Sequence, residues 1–354
     1  MVVRHELSQP TRRLKFPIGV LTALVLCSGM LPCTAEPDPP SPAVAAGLAY
    51  LRSQLARGGL GLGCESTGTV PCPLGGTGSP LVAFFVVSAL GGRMTADEAE
   101  RISSTLLAEE RNGLWGYAPT APLDADDSAF ALATLRAVKR PGNEPPHSLA
   151  PLLRFYHSDV RAFGTFVGDP GTRLAGPTSM EENRQLHAEV NANVAAVYEG
   201  SALSAYAPTA WLVTTQAADG SFPSYFYPSR YYGTWAALRG LCAMRSGDAA
   251  IERAIAFVEG SQGADGGFGA SPNAYDTALA VLALASCGKR GNATERGCAY
   301  LRRTQEASGA WPAPRYVWEY RYADGPAGSW RATDDAQVLT TALAVFALGT
   351  EELR

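Results

Sequence analysis

Three aspartates stand close together in residues 123–128, which read LDADDS. Carboxylates at such close range cannot all ionise, so one of them keeps its proton near neutral pH. A neutral carboxylic acid of this kind can protonate a very weak base, while the other two carboxylates accept hydrogen bonds and orient the proton. The competing interpretation is structural, because Asp is favoured at helix N-termini, where it caps free N–H groups and suits the helix dipole.

Internal repeats help to separate the two interpretations. Asp127 aligns with Asp276 of a later repeat and, loosely, with Thr340 of the last one. A polar residue that recurs at the start of repeat helices is typical of a cap. Asp127 is therefore predicted to be the ordinary cap residue of its repeat.

The other two aspartates are surplus to the repeat pattern. Asp126 aligns with Tyr275 and Leu339, so a carboxylate at this position is not part of the shared scaffold. Asp124 is interpreted as an extra acid too. This alignment predicts that Asp126 is the proton donor and that Asp124 orients or polarises it.

The repeats recur about every forty residues and predict a helical scaffold. Each copy contains an apolar helix, a glutamine and a Gly-aromatic turn, as in Gln305 followed by Gly309-Ala310-Trp311. Gln262 with Phe268 and Gln216 with Phe222 form two further copies. We expect the Gln to bond backbone at a helix end, the Gly to permit a tight turn and the aromatic ring to pack against the next helix pair.

Six helix pairs can be laid out along the chain. The outer-helix candidates are residues 43–55, 96–110, 149–155, 204–216, 249–262 and 293–305. The inner-helix candidates begin near Leu81, Asp127, Asn193, Thr234, Asp276 and Thr340. The inner helices are apolar on nearly all faces, which is typical of buried helices, whereas the outer helices carry one charged face.

This alternation predicts an all-α fold, a single closed (α/α)6 toroid with a central cavity. An open solenoid is the structural rival, but it needs polar capping repeats, and neither end shows one. We therefore expect the first helix pair to pack against the last inner helix.

Residues 296–311, which read RGCAYLRRTQEASGAW, resemble the QW motif of squalene-hopene and oxidosqualene cyclases. Related repeats occur in protein prenyltransferase β-subunits. The acidic segment resembles the DxDD motif of class II terpene cyclases, whose middle Asp protonates a carbon–carbon double bond or an epoxide. By that resemblance Asp126 is the catalytic acid, Asp124 and Asp127 are its partners, and a hydrophobic isoprenoid is a possible ligand. We expect no cofactor and no metal, because the Asp, Cys and His set with which prenyltransferase β-subunits bind zinc is not visible in this sequence.

Protonation of an alkene also needs a dry, aromatic cavity, because aromatic faces stabilise a cation by about 0.5–2 kcal/mol each. The candidate cavity residues are Trp115, Tyr117, Tyr231, Tyr232, Trp235, Tyr275, Trp318 and Asp335. Residues 315–330 interleave aromatic with charged side chains, which predicts a lid or hairpin with one face toward the cavity. Glu189, Asn191 and Asn193 open another inner helix with three polar groups, each more often a cap than a ligand contact.

The N-terminus is typical of an export signal. Arg12, Arg13 and Lys15 precede an apolar stretch, residues 18–31, that is short for a transmembrane span. We predict that residues 1–35 are a signal peptide, that residues 36–42 are a linker and that residues 43–350 form the toroid. The protein is then exported; an uncleaved anchor is the rival. Membrane association is expected only through this segment or the substrate.

Composition excludes several classes of partner. The formal net charge is −4 and no basic stripe appears after the signal, so a nucleic-acid partner is not expected. None of the four histidines has metal-ligand spacing with a Cys or with another His. Cys64 and Cys72 share one loop and could pair in an oxidising compartment. Cys242, Cys287 and Cys298 lie in apolar helical patterns and are predicted to be small core residues.

Three functions stay open at this point. The first is a stand-alone class II terpene cyclase-like protein, and the second is an exported binding or structural protein without chemistry. The third is a secreted carbohydrate-active enzyme that uses Asp126 with Asp335 or Glu189. Aromatic and aliphatic cavity walls favour the first function, a filled centre favours the second, and many polar lining groups favour the third.

Overall fold

A computed structural model describes residues 39–66, 78–119, 121–138, 147–166, 185–321 and 329–352. The predicted signal peptide and Cys72 lie outside these residues, so the cleavage and the Cys64–Cys72 pairing stay predictions.

Six inner helices form a closed barrel. They are α2 (Pro80–Leu90), α4 (Ala125–Ala137), α5 (Ala188–Tyr198), α7 (Arg230–Ala243), α9 (Ala274–Ser286) and α11 (Val338–Glu352). Each inner helix packs against the next one in chain order, and α11 packs back against α2. This confirms the (α/α)6 toroid and its closure. The start of α5 was predicted too late, because the polar residues of its first turns are atypical of an inner helix.

The outer layer consists of more polar elements. Its helices are α1 (Pro42–Ala56), α3 (Ala96–Ala108), α6 (Thr209–Thr214), α8 (Asp248–Gly260) and α10 (Asn292–Thr304). Three 3₁₀ helices accompany them, at Gly91–Arg93, Ala150–Phe155 and Ser204–Tyr206. The predicted α-helices over residues 149–155 and 204–216 are therefore wrong in type and in length respectively. In the second case Pro208 forces the residue before it, Ala207, into an extended conformation with ψ 128°, which breaks the helix.

In three repeats a glutamine at the end of the outer helix ties the repeat to the next one. The side-chain Nε2 of Gln216, Gln262 and Gln305 donates both to a carbonyl of its own turn and to a carbonyl in the next outer helix. For Gln305 these acceptors are Gly309, at 2.9 Å, and Ala43 of α1, also at 2.9 Å. The last repeat thus binds the first by the same pair of bonds that joins the internal repeats, as the sequence predicted for the Gln.

The glycine of the turn is required by its close approach to the next repeat. Gly309 has φ +88°, and a Cβ there would lie 2.6 Å from the carbonyl oxygen of Ala46. Gly220 and Gly266 have the same left-handed φ and the same kind of clash with the following outer helix.

The aromatic residue of the turn docks on the inner helix through its backbone. Its N–H donates to a hydroxyl in the helix's first turn, in the pairs Trp115–Ser128, Phe222–Thr234, Phe268–Thr277 and Trp311–Thr341. In the third repeat Phe163 donates to Asn191 Oδ1 instead, at 2.7 Å. These bonds align the inner helices and place Asp126, Tyr275 and Leu339 at one equivalent position, two residues before each acceptor.

Two small sheets interrupt the helical pattern. Strands β4 (Trp318–Arg321) and β5 (Ser329–Thr333) form an antiparallel pair, and β1 (Gly63–Ser66) adds to the outer side of β5. The predicted hairpin in residues 315–330 is thereby confirmed. A second sheet pairs β2 (Tyr156–His157) with β3 (Ala162–Phe163).

The cysteines depart from their prediction. Cys242, in α7, and Cys287, just after α9, form a disulfide with a Cα–Cα distance of 5.4 Å. The prediction that both are small core residues is wrong, because apolar helical sequence around each of them conceals their juxtaposition. Cys298 is buried in the core, as expected.

Candidate active site

The acidic cluster lies at the N-terminus of the inner helix α4. Asp124 is the N-cap residue, and its Oδ1 accepts a hydrogen bond of 2.7 Å from the backbone N–H of Asp127. Asn273 does the same for Asp276 at the start of α9, at 2.9 Å. The assignment of the cap to Asp127 is therefore wrong, and so is the view of Asp124 as surplus. An N-cap side chain accepts a hydrogen bond from the backbone N–H three residues later. The aspartates that recur in the sequence, Asp127 and Asp276, therefore donate to the cap and are not the cap themselves.

Asp126 faces the interior of the barrel. It is 6% exposed, and its Oδ1 accepts a hydrogen bond of 2.7 Å from Asn193 Nδ2 on the neighbouring helix α5. This bond leaves Oδ2 as the oxygen able to carry a proton. Asn193 was recognised in the sequence as a polar residue near the start of α5, but its contact with Asp126, 67 residues away, was not.

The electrostatics of the cluster favour protonated carboxyl groups. Burial raises the pKa of Asp126 well above its ordinary 3.8, the charges of Asp127 and Glu189 raise it further, and the bond from Asn193 lowers it. Burial also raises the pKa of Asp124 well above the ordinary value. Burial raises the pKa of Asp127 to about 7, against a hydrogen bond with Asp124 that lowers it. These shifts favour the protonated form of the two deeper acids, while Asp127 titrates near neutral pH.

A cleft leads from the surface to these carboxyl groups. All three aspartates line it, together with Leu81, Tyr117, Phe226, Tyr227 and Trp318. The cleft encloses about 660 Å³ of empty space, counting the open solvent at its mouth. The site is thus a narrow slot with mostly apolar and aromatic walls.

The β4–β5 hairpin supplies one wall of the slot. Tyr117 packs against Trp318 and Trp330, with 5.4 Å between the ring centroids in each case. Phe226 meets Trp318 edge to face at 6.3 Å. Phe226 and Tyr227 were recognised in the sequence as an aromatic group but were left out of the predicted cavity, since the same residues are equally typical of a core.

Six of the eight predicted cavity residues do not line this slot: Trp115, Tyr231, Tyr232, Trp235, Tyr275 and Asp335. Trp115 is buried behind it, where its Nε1 donates to the Leu106 carbonyl at 2.7 Å. Tyr231 packs outward against Phe257 and Phe268. These two residues are therefore corrected to scaffold.

Tyr232 and Tyr275 occupy the same helical position as Asp126 on their own helices. Tyr232 stacks on Tyr227 with 3.5 Å between ring centroids and so supports the wall from behind. Burial raises the pKa of the Tyr232 hydroxyl well above 10, and the charge of Asp126 raises it further. Tyr275 is buried, and Trp235 lies deeper in the barrel, beneath Tyr232.

Asp335 lies on an exposed turn before α11, so the structure does not bring it to Asp126. Its buried neighbour Asp334 accepts bonds from the backbone N–H groups of Leu339 and Thr340, at 3.1 and 2.8 Å, and thus holds the start of α11. The pairing of Asp126 with Asp335 that a carbohydrate-active site would use is not present.

A second buried acid, Glu189, stands at the position on α5 that corresponds to Asp126. Its Oε1 accepts hydrogen bonds from Ser224 Oγ and from the backbone N–H groups of Tyr225 and Phe226. Glu189 therefore orders the loop that carries Phe226 into the slot. Burial lowers the pKa of the nearby His187 to about 4, so its ring, on which Tyr225 stacks at 4.2 Å, is neutral.

Among the residues that the structure describes, no group of three or more His, Cys, Asp or Glu side chains is arranged to hold a metal ion. In the same part of the chain, no helix is both long enough and apolar enough to cross a membrane.

Comparison with known proteins agrees with this architecture. Residues 190–319 match the squalene–hopene cyclase C-terminal domain. The squalene–hopene cyclase of Bradyrhizobium diazoefficiens is 34% identical over 126 residues, which are 30% of this chain and 19% of that protein. A solved variant of the type II terpene cyclase MstE from Scytonema, in complex with its substrate geranylgeranyl dihydroxybenzoate, has a TM-score of 0.71 at 18% identity, covering 88% of this chain and 96% of that one.

These likenesses define a toroid of the terpene cyclase type. Residues 190–319 resemble squalene–hopene cyclases in sequence, and the chain shares its fold with class II terpene cyclases. It spans about a fifth of the length of the curated relatives it matches. The matched segment, residues 190–319, includes Asn193 and Trp318 but not the three aspartates.

Proposed function

We propose that this protein is a stand-alone class II terpene cyclase-like enzyme that starts cyclisation or isomerisation of an isoprenoid by protonation from Asp126. One observation carries the proposal: a buried carboxyl group with a raised pKa lines an aromatic slot, and one of its oxygens is fixed by an amide. Asp124 orients the cluster as the helix cap, and no cofactor enters the step.

In the proposed step the O–H bond at Asp126 Oδ2 breaks and a new C–H bond forms at one carbon of the substrate double bond. The electrons of the π bond make the new bond, so the other carbon becomes a carbocation and Asp126 becomes a carboxylate. The cation then loses a proton from a neighbouring carbon to water, is attacked by a second double bond to give a new cation that loses a proton in the same way, or captures water and releases a proton to solvent. A proton from solvent restores the carboxylic acid of Asp126.

Two features of the site assist this transfer. Burial holds the proton on Asp126 before the reaction, and the Nδ2 of Asn193 stabilises the carboxylate afterwards, because a hydrogen bond to a charged acceptor is stronger than one to a neutral one. The rings of Tyr117, Phe226 and Trp318 present π electrons to the cation, each worth about 0.5–2 kcal/mol.

The test is incubation of the purified protein with linear isoprenoids, followed by mass spectrometry of the products. In ²H₂O each product molecule should carry one solvent deuterium at the protonated carbon. Asp126→Asn should abolish turnover with the fold intact, because the amide keeps the shape but has no acidic proton. Full activity of Asp126→Asn on any substrate would remove Asp126 as the donor.

Asn193 offers a finer test of the same step. Asn193→Ala removes the bond that stabilises the Asp126 carboxylate, so kcat should fall by about tenfold to a hundredfold, the equivalent of one charged hydrogen bond. KM should change little, since the amide does not face the substrate chain. Asn191→Ala, on the same helix and bonded to Phe163 instead, is a control for stability. A higher KM with an unchanged kcat would contradict the assigned role.

The packed centre of the barrel supports one other candidate, a toroid that binds a ligand or partner without chemistry. The rings of Phe85 and Trp235 lie 5.0 Å apart there, and those of Phe84 and Phe130 lie 5.1 Å apart. Binding of isoprenoids with no product from any of them, in the wild type and at every pH tested, would favour this candidate.

We further propose that the protein is exported, with the segment over residues 1–35 removed. The Cys242–Cys287 disulfide supports this proposal, since structural disulfides form and persist in oxidising compartments. N-terminal sequencing of the native protein is the test, and a native chain that begins at Met1 would refute cleavage.

A further inference from the structure

An arginine lies beneath the acidic slot, held by aromatic rings. The guanidinium carbon of Arg239, on α7, is 4.7 Å from the ring centroid of Phe84, 5.1 Å from that of Trp235 and 5.6 Å from that of Phe130. Its Nη1 is buried and, within the described residues, has no hydrogen-bond partner. Three ring faces therefore hold this cation in place, and the charge of Asp126 attracts it as well.

The helical spacing shows where this cluster lies relative to the slot. Leu81 and Asp126 line the slot. Phe84 follows Leu81 by three residues on α2, and Phe130 follows Asp126 by four on α4. Residues three or four apart share a face of a helix and lie one turn further along it. Arg239, packed against Phe84 and Phe130, is thus directly below the carboxyl group.

A row of large side chains runs along one face of α7, away from the mouth of the slot. Tyr232, Trp235 and Arg239 are spaced by three and four residues, so they succeed one another along one stripe of the helix. Trp235 lies 5.6 Å from Tyr232 and 5.0 Å from Phe85, measured between ring centroids. Three inner helices, α2, α4 and α7, therefore close the barrel axis with side chains below the level of Asp126.

We propose that Arg239 and the rings around it are the floor of the substrate site, and that Arg239 is the residue that limits how long an isoprenoid chain the barrel accepts. This inference rests on the proposed function for the identity of the ligand. It makes Arg239 a specificity-determining residue rather than a catalytic one.

The positive charge adds a second limit. Burial lowers the pKa of Arg239, but only to about 10, so the guanidinium is charged at neutral pH. It already occupies the ring faces of Phe84, Phe130 and Trp235 that would otherwise stabilise a carbocation deep in the barrel. A substrate cation that moved toward the floor would meet a like charge in a poorly solvated interior, where repulsion is strong. The reaction is therefore confined to the first cation, near the mouth, and its products are isomerised, hydrated or singly cyclised isoprenoids.

A binding series that needs no turnover tests the floor. The probes are saturated linear alcohols from octanol to eicosanol, whose dissociation constants are measured by titration calorimetry with detergent-free protein. For the wild type the affinity should stop rising beyond a certain chain length. In Arg239→Ala the affinity should continue to rise with chain length, by about tenfold for each two further methylenes that enter the barrel. Arg57→Ala, an exposed arginine at the end of α1, is the surface control and should behave as wild type.

Arg239→Leu is a second variant for the case that Arg239→Ala does not fold. Leucine fills part of the space among the rings with an apolar side chain, but it is shorter than arginine. Arg239→Met keeps the length of the side chain without its charge, so it should keep the length limit. The same length dependence in the wild type, Arg239→Ala and Arg239→Leu would overturn the inference.

The product arm separates this inference from the proposed function. Geraniol, farnesol and geranylgeraniol are offered to the wild type and to Arg239→Leu, and the products are counted by ring number. If the wild type forms products and Arg239→Leu accepts the same chain lengths and gives the same ring numbers, the proposed function is supported and the role of Arg239 as the floor is refuted. A shift in the binding series with no product from either protein would keep the floor and remove the acid chemistry.

Discussion

Replacement of Asp127 by asparagine should stabilise the folded protein above neutral pH. The carboxyl group of Asp127 has a pKa of about 7 in the folded state, raised first by burial, against about 3.9 in an unfolded chain. Between these two values the unfolded chain has released the proton while the folded chain still holds it. The free energy of unfolding therefore falls as pH rises from about 4 to 7, by at most about 1.4 kcal/mol per pH unit, and is flat above 7.

Over this pH interval the free energy of unfolding of the wild type falls by at most about 4 kcal/mol in total, which is the largest loss expected at pH 8. Asp127 is only half-buried and titrates together with Asp124, so solvent screening and the shared proton reduce the figure, and about 1–3 kcal/mol is expected. The amide that Asp127→Asn introduces is neutral at every pH, so the variant escapes this loss.

The assay is urea unfolding of the wild type and of Asp127→Asn at a series of pH values from 4 to 8. The two proteins should be equally stable near pH 4, and the variant should gain steadily toward pH 7. Asp248→Asn, at an exposed position in the first turn of α8, is the control and should run parallel to the wild type. A variant that loses stability at pH 8 would refute the reasoning and would return Asp127 to the role of cap.

Other predictions concern the scaffold. Asp124→Ala should lower the free energy of unfolding by about 1 kcal/mol through loss of the cap, and Asn273→Ala, which removes the corresponding cap from α9, should cost a similar amount. Asp124→Asn should be nearly neutral. Unequal losses in the two alanine variants would show that Asp124 does more than cap. Gln305→Ala should lower the free energy of unfolding by about 1–3 kcal/mol, because it breaks the two bonds that join the last repeat to the first, and an unchanged urea midpoint would contradict a tight seam. Reduction of the Cys242–Cys287 disulfide, or the double Cys→Ser variant, should cost about 2–4 kcal/mol in thermal unfolding, since the bond spans 45 residues.

The repeat pattern made most of the fold predictable. Gln305, Gly309 and Trp311 each have a role that follows from their chemistry: an amide that bonds two carbonyls, a residue free to adopt φ +88° and a ring that packs on the next helix. Because the same residues recur, an error in one repeat could be detected in another. The break in the fourth outer element was less visible, because a single Pro208 inside an otherwise helical sequence separates a 3₁₀ helix from an α-helix.

The position of the cap shows why alignment alone misassigned the aspartates. Asp127 and Asp276 recur because each donates its backbone N–H to the cap, not because each is the cap. The true caps, Asp124 and Asn273, differ in residue type and so escaped a search for identity. The alignment did isolate Asp126 as an acid that stands where two other repeats have Tyr275 and Leu339, but it did not show that Glu189 occupies the same position on α5.

The residues that the sequence could not connect are those joined across the barrel. Asn193 reaches Asp126 from the neighbouring helix, and Arg239 reaches rings on α2 and α4. Such contacts depend on the rotation of each inner helix about its axis. An apolar sequence on all faces does not define that rotation, so the pattern that identified these helices as buried also concealed which of their residues meet.

Under the proposed function, one carboxyl group, Asp126, has both to keep a proton and to give it away. Burial alone would make Asp126 a poor donor, because it penalises the carboxylate that donation leaves behind. The first turn of α4 opposes this penalty, since the free N–H groups and the dipole at a helix N-terminus stabilise a negative charge. Asn193 opposes it as well, through its bond to Oδ1. In the proposed step, exclusion of water holds the proton on Asp126, and groups already in place stabilise the carboxylate that remains after donation. Loss of Asn193 should therefore slow donation without changing the protonation state before the reaction.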